Sequence, residues 1–170
     1  MIPTLETDRL MLRPLGPDDI KPLADFYASP RSSFVGGPLT DELAWRVLAG
    51  EIGHWTLRGF GRWSVRLKST DEVIGLIGLW EPFGWPEPEI GWDLYDGFEG
   101  KGYATEAGKA ARDYAYGTLN WPTAISLVAD GNDGSARVAQ RLGCREDGRF
   151  THVRFGTMTI WRHPGPGASA

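Results

Sequence analysis

The spacing of apolar and polar positions changes along the chain, and each change marks an element. Arg9 to Leu15 alternates loosely and predicts a first strand. Gly16-Pro17-Asp18-Asp19 predicts a helix start, since Pro suits the first helical position and acids in the first turn oppose the positive helix end. Ile20, Leu23, Ala24 and Tyr27 then share one face. Thr40 can cap a second helix, in which Leu43, Val47, Leu48 and Ile52 recur at helical spacing. Trp63, Val65 and Leu67 alternate with Ser64, Arg66 and Lys68, the pattern of a half-buried strand. Val73 to Trp80 is almost continuously apolar, as in a strand covered on both faces. Glu89 to Tyr95 is the next strand.

Lys101 to Tyr116 predicts a helix, with Tyr103, Ala107, Ala110, Ala111 and Tyr114 along one side. Ala124 to Ala129 is a further buried strand, and Ser135 to Leu142 a short helix closed by Gly143. Strands near Glu146–Val153 and Gly156–Arg162 complete the pattern. This order is neither a clean alternation of strand and helix nor a pure β pattern, and it predicts a mixed α+β sheet.

Composition narrows the function classes. A chain of 170 residues fits one ordinary domain of ~150 residues. A net charge of −4 argues against nucleic-acid binding, because affinity for phosphate backbones comes mostly from Lys and Arg. The single cysteine, Cys144, excludes an internal disulfide, and with only three histidines no structural metal site is expected. The apolar runs are far shorter than the ~20 residues that span a bilayer, and the N-terminus lacks the pattern of a signal peptide. The expectation is a soluble cytoplasmic domain over residues 1–163, without nucleic-acid or membrane partners. The Pro-, Gly-, Ala- and Ser-rich residues 164–170 are expected to be a flexible tail.

The stretch with most chemical content is Glu99-Gly100-Lys101-Gly102-Tyr103-Ala104-Thr105-Glu106-Ala107. A strand ends, glycines follow, and a long helix starts at once. Such a junction aims several backbone N–H groups at one spot in front of the positive helix end, which suits a pyrophosphate. A nucleotide P-loop would need Ser or Thr after Gly-Lys, but Lys101 is followed by Gly102. A dinucleotide fingerprint would need Gly at position 105, which is Thr. The acyl-CoA loop, Gln or Arg, two residues, Gly, one residue, Gly or Ala, fits Glu99 to Ala104 at all but its first position. A plain Gly-rich turn before a helix is the structural alternative.

With this loop, the sequence resembles the GNAT superfamily of N-acetyltransferases, specifically the Rim-type branch that includes ribosomal-protein alanine acetyltransferases. Four more segments match in order. They are Leu5-Glu6-Thr7-Asp8-Arg9-Leu10 with Leu12-Arg13-Pro14; Gly61-Arg62-Trp63 with Ile74-Gly75 and Gly78-Leu79; Pro88-Glu89-Ile90-Gly91-Trp92; and Asn132 and Ser135 with Arg141-Leu142-Gly143-Cys144-Arg145. The resemblance implies a GNAT fold of about seven strands, mostly antiparallel, flanked by about four helices. It implies acyl transfer from acetyl-CoA to an amine, a protein N-terminus or a small molecule, in a monomer or homodimer without a metal. Glu99 departs from the family's Gln, Arg or aromatic residue, and an acid beside a pyrophosphate is unfavourable unless it points outward.

The resemblance also implies roles. A protonated amine needs a base, and Glu89 is the candidate, with Glu87 in reserve on the same strand face. The Leu94 N–H is the candidate oxyanion donor, at a place where the strands of this fold commonly splay. Leu94, Glu99, Gly100, Lys101, Gly102, Tyr103, Ala104, Thr105, Asn132, Ser135 and Arg141 are the candidate CoA contacts, and Ser135 is the candidate donor to the leaving thiolate. Helix capping is the structural alternative for Asn132 and Ser135, and an ordinary ion pair that for Glu89. Trp63, Trp80 and Trp85 are expected to wall the acceptor groove, and Trp45, Trp121 and Trp161 to lie in the core. Cys144 lacks any nearby His to activate it, which argues against an acyl-cysteine route. A non-catalytic acyl-CoA-binding or protein-interaction domain on the same fold is the competing function.

Overall fold

The structure is a computed structural model that describes residues 1–168. Its strands are β1 (Leu5–Glu6), β2 (Leu10–Arg13), β3 (Arg62–Leu67), β4 (Val73–Trp80), β5 (Glu89–Leu94), β6 (Ile125–Ala129), β7 (Arg145–His152) and β8 (Gly156–Arg162). Its α-helices are α1 (Ile20–Ala28), α2 (Asp41–Arg58), α3 (Tyr103–Gly117) and α4 (Asp133–Arg141), with 3-10 turns at Pro17–Asp19 and Pro30–Val35. One sheet among the described residues runs β1-β2-β3-β4-β5-β6-β8-β7. The strand beyond the expected seven is β1, a two-residue pairing with Met11 and Leu12 that is too short to show a period.

Local chemistry sets the helix starts. Asp19 Oδ2 accepts from the Gly16 N–H at 2.7 Å, closing the first turn back on itself. Thr40 Oγ1 accepts from Leu43 N and Asn132 Oδ1 from Ser135 N, so both residues cap helices. The tail residue Pro164 is tied down, its carbonyl accepting from Tyr116 Oη at 2.9 Å. Positions 169 and 170 of the expected tail lie outside the described residues.

Two apolar layers sandwich the sheet. Ala107, Ala111 and Ala115 of α3 pack against Trp63, Ile77, Leu79 and Ile90. Their small side chains let the helix lie close to the strands. Leu23, Phe26 and Tyr27 of α1 and Ala44 and Leu48 of α2 pack on the other face with Leu76 and Tyr95. Here the pattern misleads twice. The polar side of β3 is not open to water: Ser64 and Arg66 are buried beneath Asp19, and Ser64 Oγ donates to Asp19 Oδ1 at 2.6 Å. In α2 the inward side is Ala44, Leu48, Glu51, His54 and Trp55, while Leu43 and Ile52 are exposed. Trp45, expected in the core, is 61% exposed, whereas Trp161 is buried as expected.

The sheet has a single parallel junction. β5 and β6 share one paired position, Glu89 with Ile125, and then diverge. Side chains bridge the gap where the ladder stops. Ser126 Oγ donates to Ile90 O at 2.6 Å, and Leu127 N donates to Glu89 Oε1 at 3.1 Å. All other neighbours in the sheet are antiparallel.

Candidate active site

The divergence of β5 and β6 opens into a cavity of about 410 Å³ between the sheet and the chain that carries α1 and α2. Glu89 forms part of its wall and is itself buried. Its Oε1 accepts from Leu127 N, and its Oε2 accepts from Trp85 Nε1 at 2.7 Å. Burial pushes its carboxyl up to about 7, with these two hydrogen bonds and the Arg62 charge pulling the other way. Glu89 begins β5, and Gly91 follows on the same face; a Cβ there would lie 3.8 Å from Glu89 Oε1. Its absence leaves the space beside the carboxyl open.

A buried charge network stands next to Glu89. Arg62 donates through Nη1 to Asp93 Oδ2 at 2.8 Å, through Nε to Glu51 Oε2 at 3.2 Å, and through Nη2 to Glu51 Oε1. Its guanidinium also lies 5.0 Å from the centre of the Trp80 ring. The start of the loop between β4 and β5 is held by His54 of α2, which stacks on Trp80. His54 Nε2 accepts from Glu81 N at 3.0 Å, so its Nδ1 carries the hydrogen donated to Phe60 O. Burial lowers the His54 pKa, in keeping with this neutral form. The far end of the loop is held by Trp85, ringed by Phe150, His152 and Phe155.

On the other side of the strand junction lies the glycine loop. Gly100 and Gly102 have φ of +74° and +81°, a backbone that side chains disfavour, and Gly102 is the residue before α3. Arg9 fastens this loop from outside. It donates to Lys101 O at 2.9 Å and to Glu106 Oε2 at 2.7 Å, and it stacks over Tyr103. The pairing of β5 with β4 alternates so that Tyr95 N bonds Ile74 O, which turns Leu94 N–H toward the diverging β6.

The family model described as Acetyltransferase (GNAT) domain matches residues 9–145. The chain belongs to the GNAT acetyltransferase family. It is 32% identical over 151 residues to the uncharacterized N-acetyltransferase p20 of Bacillus licheniformis, covering 85% of this chain and 84% of that one. A crystal structure of an acetyltransferase from Agrobacterium tumefaciens superposes with a TM-score of 0.88 at 43% identity, covering 96% of this chain and 95% of the other. A ribosomal-protein-S5-alanine acetyltransferase from Vibrio fischeri shares the fold, with a TM-score of 0.73 at 16% identity over 99% of this chain and 100% of that one. The protein is thus an acyltransferase of a family whose co-substrate is acetyl-CoA.

Within this GNAT acetyltransferase the sequence-derived residues divide. Glu89, Trp80, Trp85, Asn132 and Ser135 all line the one cavity. Trp63 does not: it is wholly buried on the α3 side, with Nε1 donating to Pro3 O. Strand alternation places Trp63 on a face but cannot say which face meets the cavity. Glu87 is also elsewhere, on the irregular chain before β5. It is held by Arg162 at 2.5 and 2.7 Å, and these bonds keep its carboxyl below the usual range. Glu99 turns to Arg31, 2.7 Å away, and Arg31 in turn donates to Leu94 O. Arg141 is exposed in the last turn of α4 and does not line the cavity, and Lys101 reaches back to Gly97 O. Thr105 Oγ1 is buried without a hydrogen-bond partner among the described residues. Ser135 Oγ accepts from Trp92 Nε1 at 3.3 Å. Cys144 is buried outside the cavity, where burial pushes its thiol up to about 12, which argues against a nucleophilic role. The residues missed are Glu51, His54, Arg62 and Asp93. Glu51 and His54 carry one sequence signal, as the acid and the imidazole that interrupt the inward stripe of α2, and Arg62 stands within the Gly61-Arg62-Trp63 motif without a role assigned by it.

Proposed function

We propose that the protein transfers the acetyl group of acetyl-CoA to a primary amine by direct attack, with Glu89 as general base. The observation that carries this is the Glu89 carboxyl itself: buried in the cavity wall, fixed by two N–H donors, and raised to about 7 by burial. A carboxyl so tuned is ionised at slightly alkaline pH yet basic enough to take a proton from an ammonium.

The remaining residues fit the needs of this reaction. Acetyl-CoA would supply the activated acetyl group as a thioester. The junction between β5 and β6 leaves main-chain groups free for an amide-bearing arm, and Leu94 N–H is the donor offered to the developing oxyanion. Gly100, Gly102 and the first turn of α3 form a cradle for the pyrophosphate, and the bond to Arg31 draws Glu99 away. Trp92 occupies one acceptor position of Ser135 Oγ, which leaves the Ser135 O–H hydrogen to serve the departing thiolate. The Asn132 oxygen is committed to its cap, so its NH₂ is the part available to an arm amide.

The test is release of free thiol from acetyl-CoA in the presence of a panel of primary amines. Amine-dependent release that is lost in Glu89→Gln, with acetyl-CoA affinity retained, supports the reading. Tight acetyl-CoA binding with no release on any amine would instead favour a binding domain.

A further inference from the structure

The cavity has a chemical character that bears on the acceptor. Its inner wall holds three buried acidic side chains, Glu51, Asp93 and Glu89, against one largely buried guanidinium. All three nitrogens of that guanidinium, Arg62, are already engaged by Glu51 and Asp93. A cation therefore meets favourable charge at this wall, and a carboxylate held against the same wall faces Asp93 and Glu51. Around this acidic wall the lining is apolar and aromatic, including Leu39, Val47, Trp80 and Met158. Arg46, which also lines the cavity, is paired with Glu42 at 2.7 Å.

Two segments meet over the cavity. Gly36, at the end of the turn before α2, touches the tip of the β7–β8 hairpin. A Cβ built on it would lie 2.9 Å from Phe155 Cε1 and 3.2 Å from Arg154 Nη2. A polypeptide acceptor would need a groove running on past its N-terminus, at about 3.3 Å per extended residue, with partners for each backbone amide. Here the two sides are in contact, and the space beneath is of a size that suits a small molecule. Arg154 lies at this bridge, stacked on Phe155, and is the cavity-lining cation that carries no ion pair among the described residues.

Resting on the acetyltransferase reading, we infer that the acceptor is a small primary monoamine with an apolar or aromatic body and no carboxylate on the amine-bearing carbon. The ammonium would sit against the acidic wall and the body against the aromatic lining. A free amino acid would bring its carboxylate to Asp93 and Glu51, and a protein N-terminus would have to pass the Gly36–Phe155 bridge.

The experiment compares kcat/KM for phenethylamine, hexylamine, phenylalanine, phenylalaninamide and a tetrapeptide with a free N-terminus, using the full chain and acetyl-CoA. Phenethylamine is expected to exceed both phenylalanine and the peptide by more than about tenfold, with phenylalaninamide between. Equal or better use of phenylalanine would mean that Arg154 accepts the carboxylate, and equal use of the peptide that the bridge opens; either overturns the inference. Phe155→Ala is expected to narrow the ratio of amine to peptide, and an unchanged ratio overturns the role of the bridge. Phenethylamine is also titrated calorimetrically into the CoA-saturated protein. No heat of binding overturns the inference. Binding without thiol release on any amine overturns the acetyltransferase reading and leaves the cavity's preference standing.

Discussion

The indole of Trp85 donates to Glu89 Oε2 at 2.7 Å, joining the loop between β4 and β5 to a carboxyl that burial raises. That bond favours the carboxylate and so lowers the Glu89 pKa against the pull of burial. Replacing the donor while keeping an aromatic ring, Trp85→Phe, should raise the pKa further, by about one unit. The acidic limb of kcat/KM against pH should move up accordingly. A limb that stays in place would separate Trp85 from the base.

Glu89→Gln should lower kcat by about 10²–10⁴-fold and abolish that limb. In the parent the base works as the carboxylate, so the rate should rise with pH and level off above about 7. Steady-state rates across pH 5.5–8.5 check both points.

The same substitution has an opposite signature in stability. The folded-state pKa of Glu89 lies above its ordinary 4.5, so the folded form holds a proton that the unfolded form releases. Stability from this group is present below pH 4.5, declines as pH rises toward about 7, and is lost above it, a difference of about 3 kcal/mol. Gln is free of this titration, although its NH₂ must face one of the two N–H donors. Thermal melts should show the Tm of Glu89→Gln gaining on the parent between pH 5 and pH 8. A gap that does not change with pH would contradict the raised pKa.

Arg9→Ala should loosen the glycine loop, because Arg9 holds both Lys101 O and Glu106. KM for acetyl-CoA should rise about fivefold, equivalent to ~1 kcal/mol, with kcat nearly unchanged. An unaltered KM would show that the loop keeps its shape without this clamp.

Two tryptophans should separate cleanly. Trp63→Phe removes a buried donor to Pro3 O and part of a fully buried ring, and should cost about 1–3 kcal/mol in denaturant unfolding while leaving KM for the amine unchanged. Trp80→Phe, at the cavity wall, should raise that KM. A KM effect from Trp63→Phe would return it to the acceptor site.

How far the sequence carried can be judged from particular residues. Motif and period together locate Glu89, the glycine loop and the Asn132–Ser135 pair, because each is a local event at a strand end or helix start. Glu87 misleads because its relation to Glu89 assumes a regular strand. Pro86 and Pro88 stand at that place, and β5 begins only at Glu89. Trp45 and Trp63 mislead because a period marks a face without saying what covers it. The Glu51–Arg62–Asp93 network joins a helix and two strands distant in the chain, and its charges look like ordinary solvated ones until the sheet brings them under α2.

Cys144 packs with Val128, Ala139, Leu142 and Trp161 behind the α4 turn, with its sulfur kept neutral by burial. As the chain's single thiol it is a built-in clock. A thiol reagent can reach it only when that corner opens, so its rate of modification measures local opening of the layer that carries Asn132 and Ser135, with no label added to the molecule.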